Sequence, residues 1–210
     1  MATIIQNPFF QVIILVLISS TTWYFLTDEK QTAKRKTLDI VTDSAYYFIF
    51  SVLGINVFFN IEEVLEEPYR ALIFSSTVSF SATLFVLIFL FYKYRRSIPQ
   101  HKERIDSILD YFLILGLFNH LFYYYKYQNI MSVVFILTYF LIYFFQKKWS
   151  HFRKAEYILL LLGILHGLFL YLFGHVMIYY QIIFYPYQIV TLFLLTGALL
   201  LWLRRDIHRN

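Results

Sequence analysis

Four polar side chains with catalytic potential lie in strongly apolar stretches of the chain, at Ser81, Asn119, His120 and His175. Histidine is the one side chain among these types that acts as an acid or base near neutral pH. Ser81 is a candidate nucleophile, although no base stands beside it in the sequence. We therefore predict these four residues as the catalytic set if the protein is an enzyme.

Hydroxyl side chains recur between residues 75 and 83 at the spacing of one helical turn, as Ser75 with Ser79 and Thr77 with Ser81. Small residues of this kind let two helices approach closely, and helix packing is one interpretation of the pattern. A cavity for a lipid headgroup is the other. The predicted lipid-binding residues are Asn56, Asn60, Arg70, Ser75 and Ser79.

Histidine and cysteine usage limits metal chemistry. His166 and His175 are nine residues apart, which puts them on opposite sides of one helix, so that helix alone cannot present both to one ion. The chain has no cysteine, which excludes thiolate ligands and disulfides. The motifs GxSxG, HExxH, GxGxxG and the P-loop are also absent from the sequence. We predict no metal and no cofactor.

Two aspartates, Asp43 and Asp110, each fall about one turn inside a predicted helix, close to a basic loop. A carboxylate at that depth is costly in lipid unless it reaches the interface or pairs with a cation. We predict that both pair with a loop lysine or arginine or reach the interface.

Composition sets the class of protein. Hydrophobic residues make up 60% of the 210 residues, aromatic residues 22%, and the mean hydropathy is +0.60. A soluble domain is about 45 to 50% apolar, so this composition predicts an integral membrane protein. The net charge of +5 comes from basic residues in short gaps between apolar runs, which favours anionic lipid headgroups over nucleic acid as the partner.

Seven apolar runs approach the roughly 20 residues that a helix needs to cross a bilayer. Continuous runs of this length favour helices over barrel strands, since barrel strands are about 10 residues long and alternate. We predict an all-α bundle in a single transmembrane domain over residues 1–210. The predicted helices are 8–26, 40–60, 71–92, 107–125, 129–146, 156–180 and 185–203.

The basic residues alternate between the gaps. Sixteen of the 18 lysines and arginines fall in the first, third and fifth loops and the C-terminal tail, and the other two are Arg70 and Lys126. Cytoplasmic loops carry the excess of Lys and Arg, so the pattern predicts an outer N-terminus and an inner C-terminus. The acidic connector with Glu62, Glu63, Glu66 and Glu67 then forms an outer loop.

The order of these features resembles the prolipoprotein diacylglyceryl transferase family over about residues 40 to 205. The stretch DIVTDSAYYFIFSVLGINVFFNIEEVLEEPYRAL resembles its second helix, outer loop and third helix, and SFSATL lies where the family has an SFHGGL-like motif. RIDSILDYFLILGLFNHLF and YPYQIVTLFLLTGALLLWLRR resemble its signature segment and closing helix. The resemblance implies seven spans and transfer of diacylglyceryl from phosphatidylglycerol to a lipoprotein cysteine.

The chain departs from that family at the residues that carry its chemistry. Ser81 stands in place of the family's histidine, Leu117 in place of its signature arginine, and His120 in place of its signature asparagine. Leu172 and His175 replace an acid and a second arginine. Arginine suits a phosphate because its planar fork bonds two oxygens, so this loss predicts a scaffold without the family's reaction.

Glu66, Glu67 and Arg70, with His120 and His175, also resemble the EExxxR and two-histidine pattern of the CAAX-type intramembrane proteases. The spacing differs, because Arg70 comes one residue early and Pro68 interrupts a motif that the family carries inside a helix. An acidic outer loop describes the segment better.

We therefore predict a multi-pass plasma-membrane protein of bacterial type that handles a phospholipid or a lipoprotein segment and lacks the transferase's catalytic residues. Its expected partners are a membrane phospholipid and either a lipoprotein or another membrane protein, and no nucleic acid. A non-enzymatic membrane sensor or partner-binding subunit is the first alternative. A small-molecule transporter is the second.

The absence of the transferase family's histidine and arginines leads to a test in cells. Bacteria depleted of prolipoprotein diacylglyceryl transferase and supplied with this chain should not regain lipoprotein lipidation or growth, because no arginine lies within a predicted span to hold the phosphate. Mobility of a labelled lipoprotein on a gel measures lipidation, with a functional transferase as the positive control. Restored growth would contradict the prediction.

Overall fold

The computed structural model describes residues 8–68, 75–94, 102–148, 155–173, 177–179 and 182–207. In this part of the chain there are eight helices and one short antiparallel hairpin. The elements are α1 (Pro8–Leu26), α2 (Gln31–Phe59), α3 (Ile61–Glu66), α4 (Ser76–Tyr94), α5 (Lys102–Tyr127), α6 (Ile130–Lys148), α7 (Ala155–Phe173), β1 (Met177–Tyr179), β2 (Ile182–Phe184) and α8 (Pro186–Ile207).

Four of the described helices are long and apolar enough to cross a membrane, which indicates a membrane protein. They are α2, α4 over Ser76–Lys93, α6 and α7. Two shorter apolar segments, Ile13–Leu26 and Pro186–Trp202, lie within α1 and α8. Helix α5, whose apolar part carries Asp110, Asn119 and His120, is not among the four. The helical fold is confirmed, whereas seven spans and their orientation stay predictions.

Two segments in the first third of the chain differ from the prediction. Helix α2 begins at Gln31 rather than near residue 40, so the basic residues of the first predicted loop lie on a helix. The acidic connector was expected to be a loop, but Ile61–Glu66 forms a short helix. Its first turn carries Glu62 and Glu63, where negative charge is stabilised by the free N–H groups of a helix N-terminus.

The prediction of one helix over 156–180 is wrong at its C-terminal end. Helix α7 ends at Phe173, and Met177–Tyr179 pairs antiparallel with Ile182–Phe184 instead. The segment MIYYQIIF is rich in β-branched and aromatic residues, which favour strands. The hairpin pairs the facing backbone groups of its two strands, and β2 lies against α4.

Helix α8 has a well-defined start. Pro186 occupies its first position, where a missing N–H costs little. The side-chain oxygen of Gln188 accepts a hydrogen bond from the backbone N–H of Tyr185 at 2.9 Å, as in a capping box. The same oxygen accepts one from Ser76 Oγ at 2.7 Å. Gln188 therefore joins the starts of α4 and α8.

The described residues fall into two compact units, and the prediction of a single transmembrane domain stays a prediction. The first unit takes its residues from Met1–Leu38 and His101–Ile158. In it α1 packs on α5, and α5 packs on α6. Gly116 of α5 lies against the ring of Tyr139 on α6, which is fully buried. The close approach of α5 and α6 depends on this glycine.

The second unit takes its residues from Asp39–Gln100 and Leu159–Asn210. Val52 of α2 packs with Val78 and Ala82 of α4 in a buried cluster. On α7, Gly163 and Gly167 face α8, because a Cβ at either one would lie 2.9 Å from an atom of Phe193 or Val190. This is the GxxxG arrangement that lets helix backbones approach in lipid, and the sequence interpretation overlooked it.

Large apolar side chains are exposed along the helices of both units, among them Phe25, Phe50, Phe58, Phe85 and Tyr171. Many buried positions are polar instead, including Thr37, Asn56, Ser107 and Gln188. A soluble protein places these types the other way round. Lipid tails solvate the apolar exterior, while the polar groups find partners inside.

Gly116 provides a test of the α5–α6 contact. In Gly116→Ala the new Cβ would lie 2.6 Å from Tyr139 Cζ, and the buried ring has no room to move. We expect the free energy of unfolding in detergent micelles to fall by about 1 to 3 kcal/mol. The matched control is Gly54→Ala, where nothing lies within 4 Å. Equal stability of the two variants would contradict this packing.

Candidate functional site

The described residues among those predicted for catalysis belong to two different units. Asn119 and His120 belong to the first unit, and Ser81 belongs to the second. His175, the fourth residue predicted for catalysis, lies outside the described residues, as does Arg70, which was predicted for lipid binding. The prediction that these side chains act together stays a prediction.

His120 is buried between two helices. It is 3% exposed, and its ring stacks on Phe135 at 4.9 Å between centroids and lies 5.6 Å from the ring of Tyr139. Asn119, its neighbour on α5, is fully buried. The His120 side chain is therefore part of the α5–α6 contact, where a bulky lipid headgroup has no room.

Asp110 forms a largely buried ion pair in the first unit. Its carboxylate lies 2.7 Å from Lys147 Nζ and also accepts a hydrogen bond from the side-chain amide of Gln146. The Asp110 side chain is 8% exposed and that of Lys147 33%. Lys147 also lies over the Tyr143 ring at 5.7 Å. Asp110 thus pairs with a lysine, as one of the two predicted outcomes stated, but Lys147 lies in the last turn of α6 and not in a loop.

Asp43 pairs in the same way in the second unit. Lys93 Nζ donates to its carboxylate at 2.9 Å and to the hydroxyl of Tyr47 at 3.0 Å. Both charged side chains are more than a third exposed, so the pair contributes little to stability. The predicted pairing of Asp43 is confirmed.

A polar contact that the sequence interpretation missed runs between α1 and α5; we call it the α1–α5 seam. Three hydrogen bonds follow one another along the seam. Lys126 Nζ donates to Gln11 at 3.1 Å, Ser20 and Tyr111 share a hydroxyl bond of 2.9 Å, and Ser107 Oγ donates to Glu29 at 2.7 Å. Residue numbers rise on α1 as they fall on α5, so the two helices run antiparallel.

The sequence held a signal for the α1–α5 seam. Every fourth residue of α1 and its C-terminal extension is buried. These residues are Gln11, Leu15, Ser19, Trp23 and Thr27. A polar stripe at helical spacing within an apolar run marks the face that meets another helix.

The hydroxyl residues of α4 divide between two faces. Ser79 is fully buried, on the face that carries Val78 and Ala82 toward α2. Ser75 and Thr77 are exposed, and Ser81 is half-buried. Ser79 therefore fits the packing interpretation, whereas the other three lie where a ligand from the bilayer could reach them. Lipid binding at these residues stays a prediction.

The two asparagines predicted for lipid binding lie at the C-terminal end of α2 and just beyond it. Asn56 is buried, and its carbonyl accepts the backbone N–H of Asn60 at 2.9 Å. Asn60 is half-buried and precedes α3, without a capping hydrogen bond from its side chain. Neither position presents a fully exposed side chain.

His166 has a packing role in the second unit. Its Nδ1 lies 2.7 Å from the carbonyl oxygen of Leu162, and its ring stacks on Phe193 at 4.9 Å. In the part of the chain that the structure describes, no group of three or more His, Cys, Asp or Glu side chains could hold a metal ion. The absence of a metal and of a cofactor stays a prediction.

The ion pair of Asp110 leads to a stability test. In Lys147→Met the buried carboxylate loses its cation, and we expect the free energy of unfolding to fall by about 2 kcal/mol, with Lys147's partial exposure moderating the loss. Denaturant unfolding in micelles measures it. Lys148→Met, one residue on and exposed, should change it by less than about 0.5 kcal/mol.

A second variant separates charge from packing. In the double variant with Asp110→Asn and Lys147→Met no unpaired charge remains at residue 110, so about half of the lost stability should return. A double variant that is less stable than Lys147→Met alone would contradict this explanation.

Comparison of the chain with protein-family models, with curated proteins and with solved structures finds no match. The resemblance to diacylglyceryl transferases remains a prediction from the order of sequence features. The function of this membrane protein has to be argued from its own residues.

Proposed function

We propose that this chain is a multi-pass plasma-membrane protein that binds a phospholipid without chemically changing it, on a scaffold similar to that of the diacylglyceryl transferases. The observation that carries the proposal is the outward face of α4. Its first turns expose hydroxyl groups, and its later turns expose apolar side chains.

The outward face of α4 follows helical spacing. Thr77, Ser81 and Phe85 are successive fourth residues, with Thr77 and Phe85 exposed and Ser81 half-buried. Ile88 and Phe89 continue the exposed surface one turn further. A phospholipid has the same order of groups, since its phosphate and glycerol lie at the interface and its acyl chains reach inward.

The distances along α4 suit that arrangement. A helix rises 1.5 Å per residue, so Ser81 lies about 9 Å deeper along the axis than Ser75. Ser75 and Thr77 then meet the headgroup, and Ser81 meets the glycerol and ester region. The exposed rings of Phe85 and Phe89 contact the acyl chains. Hydroxyl groups at these depths donate to phosphate and ester oxygens, which hydrocarbon cannot replace.

The surroundings of the other predicted residues favour binding over catalysis. His120, the predicted acid or base, is buried against aromatic rings in the first unit. Ser81 has no histidine within its own helix. General-base catalysis requires the base within hydrogen-bonding reach of the nucleophile. Binding requires the hydroxyl groups alone.

Transport of a small solute is the second candidate function, and one observation favours it. Asp110 and Lys147 form an ion pair inside the first unit, and Glu156 is also buried there. Buried ionisable groups mark ion and proton paths in many membrane proteins. Flux of protons or solutes into proteoliposomes, abolished by Asp110→Asn, would support transport over lipid binding.

Substitutions on α4 test the proposal. In the double variant with Thr77→Val and Ser81→Ala, two of the three outward hydroxyls are lost at nearly constant volume, and that of Ser75 is kept. We expect about a thirtyfold loss of affinity for phosphatidylglycerol, and a corresponding loss of retained lipid, since two hydrogen bonds at about 1 kcal/mol each are removed. Native mass spectrometry of protein released from nanodiscs measures the retained lipid.

The matched control is Thr83→Val on the same helix. Thr83 Oγ1 donates to the carbonyl of Ser79 at 2.7 Å, so its hydroxyl is already used within the helix. This variant should retain as much lipid as the unchanged protein. Equal retention by the double variant and the control would show that the outward hydroxyls do not bind the lipid.

A further inference from the structure

The α1–α5 seam contains polar atoms that no protein group satisfies. Ser19 Oγ, Trp23 Nε1 and Thr27 Oγ1 are buried and, within the described residues, have no hydrogen-bond partner. Ser19 and Trp23 are fully buried, and Thr27 is 3% exposed. The three lie at successive fourth positions, so they share one face of the helix.

Four other hydroxyl groups of this protein are satisfied by their own helix. Each donates to the carbonyl four residues earlier, at 2.6 to 2.8 Å. These residues are Ser44, Thr83, Thr138 and Thr196. Ser19 and Thr27 do not adopt this arrangement, and an indole N–H cannot. Their polar atoms are therefore directed into the contact between helices.

The surrounding side chains give that contact a polar lining. Tyr111 of α5 packs edge-on against the Trp23 ring at 5.7 Å and bonds Ser20 through its hydroxyl. One turn earlier on α5, Ser107 Oγ bonds Glu29 at 2.7 Å and lies 3.1 Å from Thr37 Oγ1. Donors and acceptors thus follow one another from Ser19 to Glu29.

We propose that the α1–α5 seam binds water, and that ordered water molecules bridge Ser19, Trp23 and Thr27 to the hydroxyls of Ser20 and Tyr111. Water fits because it donates to hydroxyl oxygens and accepts from the indole N–H, and buried water needs two to four polar partners of this kind. A phospholipid headgroup does not fit between two packed helices.

Water reaches the seam from the end that carries Glu29. Glu29 is half-buried, and Asp28 beside it is exposed. At the other end of the row formed by Ser19, Trp23 and Thr27 lies Leu15, which is buried and apolar. The seam is thus hydrated from one side and closed on the other. It gives water and protons access to the interior of the first unit, independently of any lipid bound at α4.

The chain has no cysteine, so single cysteines report on hydration without background labelling. The probe is the silver ion, which is about as small as water and binds a thiolate. The test position is Ser19→Cys, which changes one atom. One control is Ile18→Cys on the outward face of the same helix, where Ile18 is 46% exposed. The second is Ala82→Cys, in the apolar cluster with Val52 and Val78.

Protein in nanodiscs is treated with silver ion, washed, unfolded and labelled with a maleimide. We expect silver to lower the labelling of Ser19→Cys about tenfold and that of both controls by less than about twofold, since a thiol ionises only where water reaches it. Ser19→Cys labelled as fully as the two controls would overturn the proposal.

A stability measurement tests the proposal independently, because the melting temperature should change in opposite directions in a hydrated seam and in a dry one. If water satisfies Thr27, then Thr27→Val removes a hydrogen bond, and the melting temperature in nanodiscs should fall by about 2 to 4 °C. If the seam is dry, the same change removes an unsatisfied polar atom and the melting temperature should rise. A rise in Thr27→Val and in Ser19→Ala would contradict bound water.

Discussion

Hydrocarbon offers no hydrogen bonds, and the described structure depends on that constraint. A polar side chain on a membrane helix must find its partner on the same helix or on a neighbour. In the first unit the neighbour supplies it, since α1 and α5 bond through Gln11 and Lys126 and through Ser20 and Tyr111, and Glu29 in the connection after α1 bonds Ser107 of α5. These contacts fix the register of the two helices, because a shift by one turn would leave carboxylate and hydroxyl groups unsatisfied.

The second unit meets the same constraint with small residues. Gly163 and Gly167 allow α7 to approach α8, and Ala82 allows α4 to approach Val52. Dispersion forces between closely packed helices stabilise such contacts in lipid, where apolar burial contributes little. Gln188 adds one polar bond at the helix ends. The exposed hydroxyls of α4 are not needed for this packing, which leaves them available to a lipid.

The helices could be predicted from the sequence because each is a local property. Long apolar runs specify helices in lipid, and α1, α6 and α8 begin within one residue of the predicted starts. The end of α7 could not be predicted in this way. The segment MIYYQIIF is hydrophobic enough for either a helix or a strand. It forms a hairpin because its two halves pair with each other, with Ile178 opposite Ile183.

The sequence by itself determined the membrane class, the helical fold and the expectation that Asp43 and Asp110 either pair with a cation or reach the interface. Each of these follows from composition or from charges close to a helix end. Only the tertiary structure decided that His120 is buried against Phe135 and that the α1 stripe from Gln11 to Thr27 faces α5. The physical reason is that a helix carries its polar residues on fixed faces, whereas the partner that covers each face comes from a distant part of the chain.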